Sequence, residues 1–279
     1  MKQYRLREGD ASAVDTKTQL TTEGSRTSPG SLNVPQGMKF ITAVIVNHVS
    51  NQAAATGYSA FCRLEGPGML GGPAQLPVGA GGMAVATGGN TALKPVRIPV
   101  NFPVVELNEI QVFGEMAGTD VGLVSMNITL EFSDAAGPGE TEMKTLLVEG
   151  DLTAADTRTA LITQGSITSP SLSIPAGYTK IVKVIVAATA EGLADGACNI
   201  FVRLGGNAVK GGEQVLGAGA AGRIAVQAGS DAAPQIVSPY VFEDTEIEVS
   251  PGDTIAIDGE MAGTDTGTVH IVIGLVLGK

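Results

Sequence analysis

The seven residues GEMAGTD at positions 114–120 occur again, unchanged, at positions 259–265. The tripeptide EGD at 8–10 likewise returns at 149–151, and further matches follow in the same order along the chain. Identities in ordered succession indicate that the sequence consists of two copies of one module. Because the interval between the copies is several times longer than a solenoid repeat, each copy is expected to form a complete domain.

The two copies divide the chain into a first module at 1–134 and a second module at 143–279. Residues 135–142 between them are rich in glycine, proline and polar side chains, which is typical of a short linker. A length of 279 residues also fits two domains of ordinary size better than one or three. We therefore predict two homologous domains in tandem.

Apolar residues alternate with polar ones from Val124 to Phe132, and apolar residues recur at every second position from Val269 to Leu277. A period of two is typical of a β-strand with one face in a core. Segments 38–47 and 179–189 are rich in β-branched residues and apolar on both faces, as in strands covered on two sides. Further strands are predicted at 58–65, 83–87, 93–100, 109–116, 197–205, 223–228, 235–241 and 254–261.

This pattern predicts an all-β fold, because no long stretch of the sequence keeps a helical period. About eight strands in about 130 residues fit a jelly roll better than the smaller immunoglobulin sandwich. We therefore predict two tandem jelly-roll-like β-sandwich domains, with another eight-stranded sandwich as the alternative. The glycine-rich segments 66–82 and 205–222 are predicted to be long loops that project at one end of each sandwich.

The charge balance disfavours binding to nucleic acid. Lys and Arg number 17 against 28 Asp and Glu, the formal net charge is -11, and the basic residues are scattered singly. Because contacts with phosphates supply most nucleic-acid affinity, no direct contact with nucleic acid is expected. The apolar segments are too short to span a bilayer, and the N-terminal segment lacks the apolar centre of a signal peptide. We therefore expect no membrane insertion, and synthesis in the cytoplasm.

Glu115, Asp120, Glu260 and Asp265 are repeated carboxylates that lie beside glycines. Calcium takes carboxylate and carbonyl oxygens from tight turns, so these four residues are the candidate metal ligands. The alternative is a structural role, in which Asp120 and Asp265 accept hydrogen bonds from the N–H groups of a hairpin turn. We favour the turn, because a calcium loop brings more oxygen ligands within a few residues. No other cofactor is predicted.

The sequence contains no recognisable catalytic motif. His48 and His270 do not correspond between the copies, and neither do Cys62 and Cys198. A nucleophile-elbow pattern is absent, and two histidines with two distant cysteines do not make a zinc site. We therefore predict that the chain is not an enzyme. His270 is expected at an interface or in solvent, and both cysteines are expected to be small buried residues.

Two tandem jelly-roll-like modules, abundant small residues and an acidic charge resemble the double jelly-roll major capsid proteins of membrane-containing icosahedral viruses. The resemblance spans both modules, 1–134 and 143–279, and is one of architecture. In that family, trimers with a pseudo-sixfold outline tile an icosahedral shell. The resemblance implies a homotrimer, other capsid proteins as partners, synthesis in the host cytoplasm and a final location in the virion shell.

The similarity between the two halves departs from that family, whose two barrels share little sequence, whereas this chain keeps a seven-residue identity. A recent duplication explains the identity, and so does a protein that displays two copies of a binding module. The alternative function is therefore a tandem β-sandwich that binds carbohydrate or a cell surface. Such modules use exposed aromatic platforms, and aromatic residues make up only 4% of this chain.

Overall fold

The computed structural model describes residues 1–26, 32–51, 57–82, 94–118, 123–167, 171–191, 197–222, 235–263 and 267–279. Within these ranges every regular element is a β-strand, which confirms the all-β prediction. The long strands form where apolar and β-branched residues dominate, since such side chains pack well on a pleated surface. In this part of the chain, no helix has the length and apolar character needed to cross a membrane.

The strands of the first half are β1 (Lys2–Ala11), β2 (Thr18–Gln19), β3 (Leu32–Asn33), β4 (Phe40–Asn51), β5 (Gly57–Glu65), β6 (Ala74–Gly82), β7 (Val96–Pro103), β8 (Glu109–Gly118) and β9 (Leu123–Ser133). The strands of the second half are β10 (Met143–Leu152), β11 (Thr157–Ala160), β12 (Lys180–Glu191), β13 (Ala197–Gly205), β14 (Gln214–Gly222), β15 (Gln235–Val237), β16 (Tyr240–Glu248), β17 (Ala256–Gly263) and β18 (Thr268–Gly278).

Each half forms two facing antiparallel sheets with the same strand order. In the first half, sheet I has the order β1-β9-β4-β7 and sheet II the order β6-β5-β8-β2, with the short β3 also paired to β8. In the second half, sheet III is β10-β18-β12-β16 and sheet IV is β14-β13-β17-β11. When β3 and β15 are left out and each half is numbered from one to eight, both halves give 1-8-3-6 and 2-7-4-5. This is the jelly-roll order.

Sheets I to IV lie one above another in that order. Sheet II packs against sheet III, and its strand β6 contacts β10, β12 and β18. Strands β5 and β18 are accordingly buried along nearly their whole length, on both faces. The two halves therefore form a stack in which sheets II and III are internal, while the outer faces of sheets I and IV lie at opposite ends.

Apolar clusters fill the spaces between successive sheets. One cluster lies between sheets I and II and includes Leu64 and Phe132, and another lies between sheets III and IV and includes Val202 and Leu275. Between sheets II and III the packed residues are Phe61, Ala80, Ala117, Leu147, Ala187 and Val272. The contact between the halves is thus a third core, which we call the joint.

The strand β15 and the segment 135–142 also tie the halves together. β15 pairs antiparallel with β6 and so adds a strand of the second half to sheet II. The Asn101 side chain donates a hydrogen bond to the Glu140 carbonyl at 2.7 Å and accepts one from the Gly137 N–H at 2.7 Å. The segment predicted to be a linker is therefore hydrogen-bonded to the first half. The domain limits at 1–134 and 143–279 stay a prediction.

The prediction of long loops at 66–82 and 205–222 is wrong for the second part of each segment, which forms β6 and β14. These two strands are rich in glycine and alanine, so their apolar alternation is weak and includes few large side chains. They are strands because β6 pairs with β5 and β14 pairs with β13. In each case the partner is the preceding strand of the chain. The predicted strands at 83–87 and 223–228 lie outside the described residues.

Candidate functional site

The joint between sheets II and III contains buried polar groups as well as apolar ones. Arg63, Glu115, Glu149, Gln164 and His270 are each at most 6% exposed. Burying a charge without a partner is costly, so such groups persist in an interface only when they are paired or hydrogen-bonded. The pairs that they form determine how the two halves fit together.

Arg63 on β5 and Glu115 on β8 form an ion pair on the face of sheet II, with Arg63 Nε 2.7 Å from Glu115 Oε2. Both partners also bind the second half of the chain. The Arg63 guanidinium donates a hydrogen bond to the Gln164 carbonyl at 2.9 Å, and Glu115 accepts one from the Ser166 N–H. The pair therefore holds the turn at 163–166 against sheet II.

The turn at 163–166 is shaped by Glu149 on β10. The Thr163 hydroxyl donates to the Glu149 carbonyl at 2.8 Å, and the Gly165 N–H donates to the Glu149 carboxylate at 3.1 Å. Gly165 has a positive φ of 53°, and a Cβ there would lie 2.2 Å from Glu115 Oε1 and 2.7 Å from the Phe61 ring. Glycine is therefore required at this position by both conformation and space.

Carboxylates cluster around the joint and alter one another's proton affinity. Burial raises the pKa of Glu149, hydrogen bonds from the turn oppose this, and the negative charges of Asp15 and Asp151 add to it. Burial raises the pKa of Asp15, and the nearby charges of Glu115 and Asp151 raise it further. His270 Nδ1 lies 2.7 Å from Asp151 Oδ1, so the imidazole is a hydrogen-bonding partner of this cluster.

The second copy of the ion pair lies on the outer face of sheet IV. Arg203 on β13 and Glu260 on β17 correspond to Arg63 and Glu115, and their Nε–Oε2 distance is 2.6 Å. These side chains are 27% and 19% exposed, against 2% and 0% for the first copy. Glu213 also forms an ion pair with Arg203, with a distance of 2.9 Å between Nη1 and Oε1. The guanidinium therefore has two carboxylate partners. The same two residues are thus buried in one copy and accessible in the other.

The first copy of the turn, at 22–25, lies at the other end of the stack. The Thr22 hydroxyl donates to the Glu8 carbonyl at 2.8 Å, and the Gly24 N–H donates to the Glu8 carboxylate at 2.8 Å. Gly24 has a φ of 59°, and among the described residues nothing lies within 4 Å of a Cβ built there. The turn at 22–25 therefore has the hydrogen bonds of the turn at 163–166, but its residues Gly24 and Ser25 are exposed.

The proposed calcium ligands divide into two groups. Glu115 and Glu260 each pair with an arginine, whereas Asp120 and Asp265 lie outside the described residues. Within the described ranges no group of three or more His, Cys, Asp or Glu side chains could hold a metal ion. The calcium site, and the turn role that we favoured for the two aspartates, both stay predictions.

The histidines and cysteines are buried. His270 is 0% exposed and lies in the joint, which is one of the two positions predicted for it. His48 is 2% exposed, lies edge-on to Tyr58 with the ring centroids 5.9 Å apart, and has its pKa lowered to about 4 by burial. Cys62 and Cys198 are also buried, as predicted, and burial raises the pKa of the Cys62 thiol to about 12.

Sequence reasoning missed the residues that form the joint. Phe61, Arg63, Phe201 and Arg203 are visible in the sequence as matched pairs, but only as evidence of duplication. A repeated charged pair, Arg on one strand and Glu on another, is the signal that could have indicated a functional face. The turns at 22–25 and 163–166 share a Thr-x-Gly-Ser pattern that was also available.

No protein-family model and no curated protein matches this chain. Among solved structures, N-glycanase F matches over 99% of this chain and 96% of its own, at 8% identity and a TM-score of 0.40. The chain from the triple jelly-roll and turret structure of an archaeal virus matches over 88% of this chain and 54% of its own, at 10% identity and a TM-score of 0.25. This chain thus spans about half the length of that viral protein.

The infectious bursal disease virus structure, Gx strain, matches over 99% of this chain and 76% of its own, at 10% identity and a TM-score of 0.24. Viral proteins and an enzyme are therefore both among the matches. The prediction that this chain is not an enzyme is contradicted, because N-glycanase F is an asparagine amidase. A lack of recognisable catalytic motifs in a duplicated all-β chain does not exclude catalysis.

Proposed function

We propose that this chain is a structural assembly protein, the building block of a viral capsid, whose copies join through the outer faces of sheets I and IV. The order of the stack carries this proposal. Sheet III is the repeat of sheet I, and sheet IV is the repeat of sheet II. Inside the molecule, sheet II covers sheet III, so the two ends of the stack are further copies of the two faces that already fit each other.

The joint is a head-to-tail contact, because different faces of the two modules meet. A contact of this kind leaves one unused face of each type, and its repetition from molecule to molecule gives a ring when the rotation between copies closes and an open filament when it does not. Three copies in such a ring contain six similar sandwiches. This supports the homotrimer with a pseudo-sixfold outline that we propose as the unit of an icosahedral shell.

The charge of the chain supports a place in the shell rather than on the genome. A formal net charge of -11 repels phosphates, so we propose self-association and contacts with other capsid proteins, without direct contact with nucleic acid. We further propose that the protein is made in the host cytoplasm and ends in the virion shell.

The test is the native mass of the purified protein over a wide concentration range, followed by negative-stain imaging of the same fraction. A stable trimer with a six-sided outline, or a closed shell, is the expected result. A monodisperse monomer at every concentration would overturn the proposal and favour the alternative, a tandem module that binds carbohydrate or a cell surface. A glycan array on the monomer would then test that alternative.

A further inference from the structure

The joint within each molecule has two parts, a receptor and an insert. The receptor is the ion pair Arg63–Glu115 on sheet II, and the insert is the turn at 163–166, which supplies a carbonyl to the arginine and an N–H to the glutamate. The repeat reproduces each part once more. The second receptor is Arg203–Glu260 on sheet IV, and the second insert is the turn at 22–25.

We propose that the Arg203–Glu260 pair of one copy binds the turn at 22–25 of a second copy, in the way that Arg63–Glu115 binds the turn at 163–166 within the chain. This inference rests on the proposed self-association and names its contact residues. The Glu23 carbonyl accepts a hydrogen bond from Arg203, and the Ser25 N–H donates one to Glu260. Glu213 contacts Nη1 of Arg203, whereas the arginine of the joint binds the turn through Nη2, so the two contacts use different nitrogens of the guanidinium.

The second receptor is preformed. Arg203 Nε lies 2.6 Å from Glu260 Oε2, close to the 2.7 Å of the buried pair, so the two charges already have the geometry that the first receptor has in the joint. Phe201, the counterpart of Phe61, lies on the same strand and is half-buried. The face of sheet IV therefore presents both the charged pair and Phe201, the counterpart of the Phe61 ring that Gly165 meets in the joint.

The second insert is preformed as well. Glu8 holds the turn at 22–25 by the same two hydrogen bonds with which Glu149 holds the turn at 163–166. The glycines have φ values of 59° and 53°, so the two turns share their backbone conformation. Little conformational freedom is lost when a preformed turn docks, which favours association.

The contact between copies is more polar than the joint within the chain. Where sheet III has Ala187 opposite Val272, sheet I has Asn47 opposite Asn127. Both residues of the first pair are almost fully buried, whereas the two asparagines are half-buried. Less apolar area is therefore removed from water, so the contact between copies is expected to be weaker per unit area than the joint within the chain.

Two variants test the two sides of this contact. Gly24→Ala places a methyl group on the insert, where the equivalent Cβ at Gly165 would lie 2.2 Å from a carboxylate oxygen. Glu260→Lys replaces the acceptor of the turn's N–H with a cation. Each variant is expected to weaken association at least about tenfold, measured by sedimentation velocity. Gly37→Ala is the matched control, because Gly37 has a φ of 78°, is exposed, and among described residues has nothing within 4 Å of a Cβ.

Mixing the two variants gives the decisive readout. Gly24→Ala keeps an intact receptor and Glu260→Lys keeps an intact insert, so the mixture should form dimers of one of each and nothing larger. Two variants that each still form the wild-type oligomer would overturn this inference while leaving the proposed assembly function standing. A wild-type protein that is monomeric at every concentration would overturn both.

Discussion

Replacing Glu115 by Gln tests whether the joint buries the repeated ion pair. The variant keeps the shape of the side chain but leaves the Arg63 guanidinium, 2% exposed, without its carboxylate. Removing one partner of a buried pair costs about 3–5 kcal/mol, because the other charge stays desolvated. The free energy of unfolding of Glu115→Gln should therefore fall by about this amount.

The chain supplies its own control for this prediction. Glu260→Gln makes the same change in the second copy, where the arginine is 27% exposed and Glu213 remains as a second acidic partner. A solvent-accessible pair contributes about 0–1 kcal/mol, so this variant should unfold almost as the wild type does. The local sequence around the two glutamates is identical, so the difference between the variants reports the surroundings of the two pairs, which are burial and the second carboxylate at Arg203.

Urea unfolding followed by far-ultraviolet circular dichroism is the assay, since the chain has no Trp to serve as a fluorescent probe. Measurements belong at protein concentrations where the wild type is monomeric. A double variant, Arg63→Met with Glu115→Leu, should recover most of the lost stability, because an apolar pair needs no counter-ion. Equal losses for Glu115→Gln and Glu260→Gln would refute the burial argument.

Three other predictions concern buried residues. Burial lowers the pKa of His48 to about 4, so the unfolded chain takes up the proton first and the free energy of unfolding should fall by about 3 kcal/mol as the pH drops from about 6.5 to about 4. Urea titrations at several pH values in this range should show that the free energy of unfolding depends less on pH in His48→Gln than in the wild type. An unchanged dependence on pH would contradict the assignment to His48. Burial raises the pKa of Cys62 to about 12, so its thiol should not react with Ellman's reagent in the native protein and should react once the chain is unfolded. Changing Cys198 to Ser leaves Cys62 as the thiol that is measured. Rapid reaction in the native state would show that the Cys62 thiol is accessible. Gly165→Ala should cost about 1–3 kcal/mol more than Gly24→Ala in the monomer, because both share a positive φ but only the former meets neighbouring atoms among the described residues. Indistinguishable urea midpoints would contradict that clash.

Local pattern was sufficient for the strands that carry a strong apolar period. The alternation at 124–132 and 269–277 predicted β9 and β18, and the β-branched segments predicted β4 and β12. The strands β6 and β14 were missed, because their many glycines and alanines weaken the apolar period. Their extended conformation comes from pairing with a neighbouring strand. Pairing is a property of the whole sheet, so it leaves a weak local signal.

Residues at the joint could be found in the sequence but could not be placed. Arg63 and Glu115 are distant in sequence and are diagonal neighbours on one sheet face because β5 pairs with β8. The turn at 163–166 reaches them because sheet III lies on sheet II. Neither relation follows from spacing along the chain, which is why the glutamates were considered as calcium ligands rather than as halves of an ion pair.

The sequence by itself determined that the chain is a duplication built of β-strands, because identity between copies and a period of two are both local properties. Only the tertiary structure decided which copy of a repeated feature is buried. The segment GEMAGTD is the same at 114–120 and 259–265, yet Glu115 is 0% exposed and Glu260 is half-buried. The physical reason is that burial depends on which sheet face covers the residue, and two modules stacked head to tail cover one copy of each face and leave the other at an end.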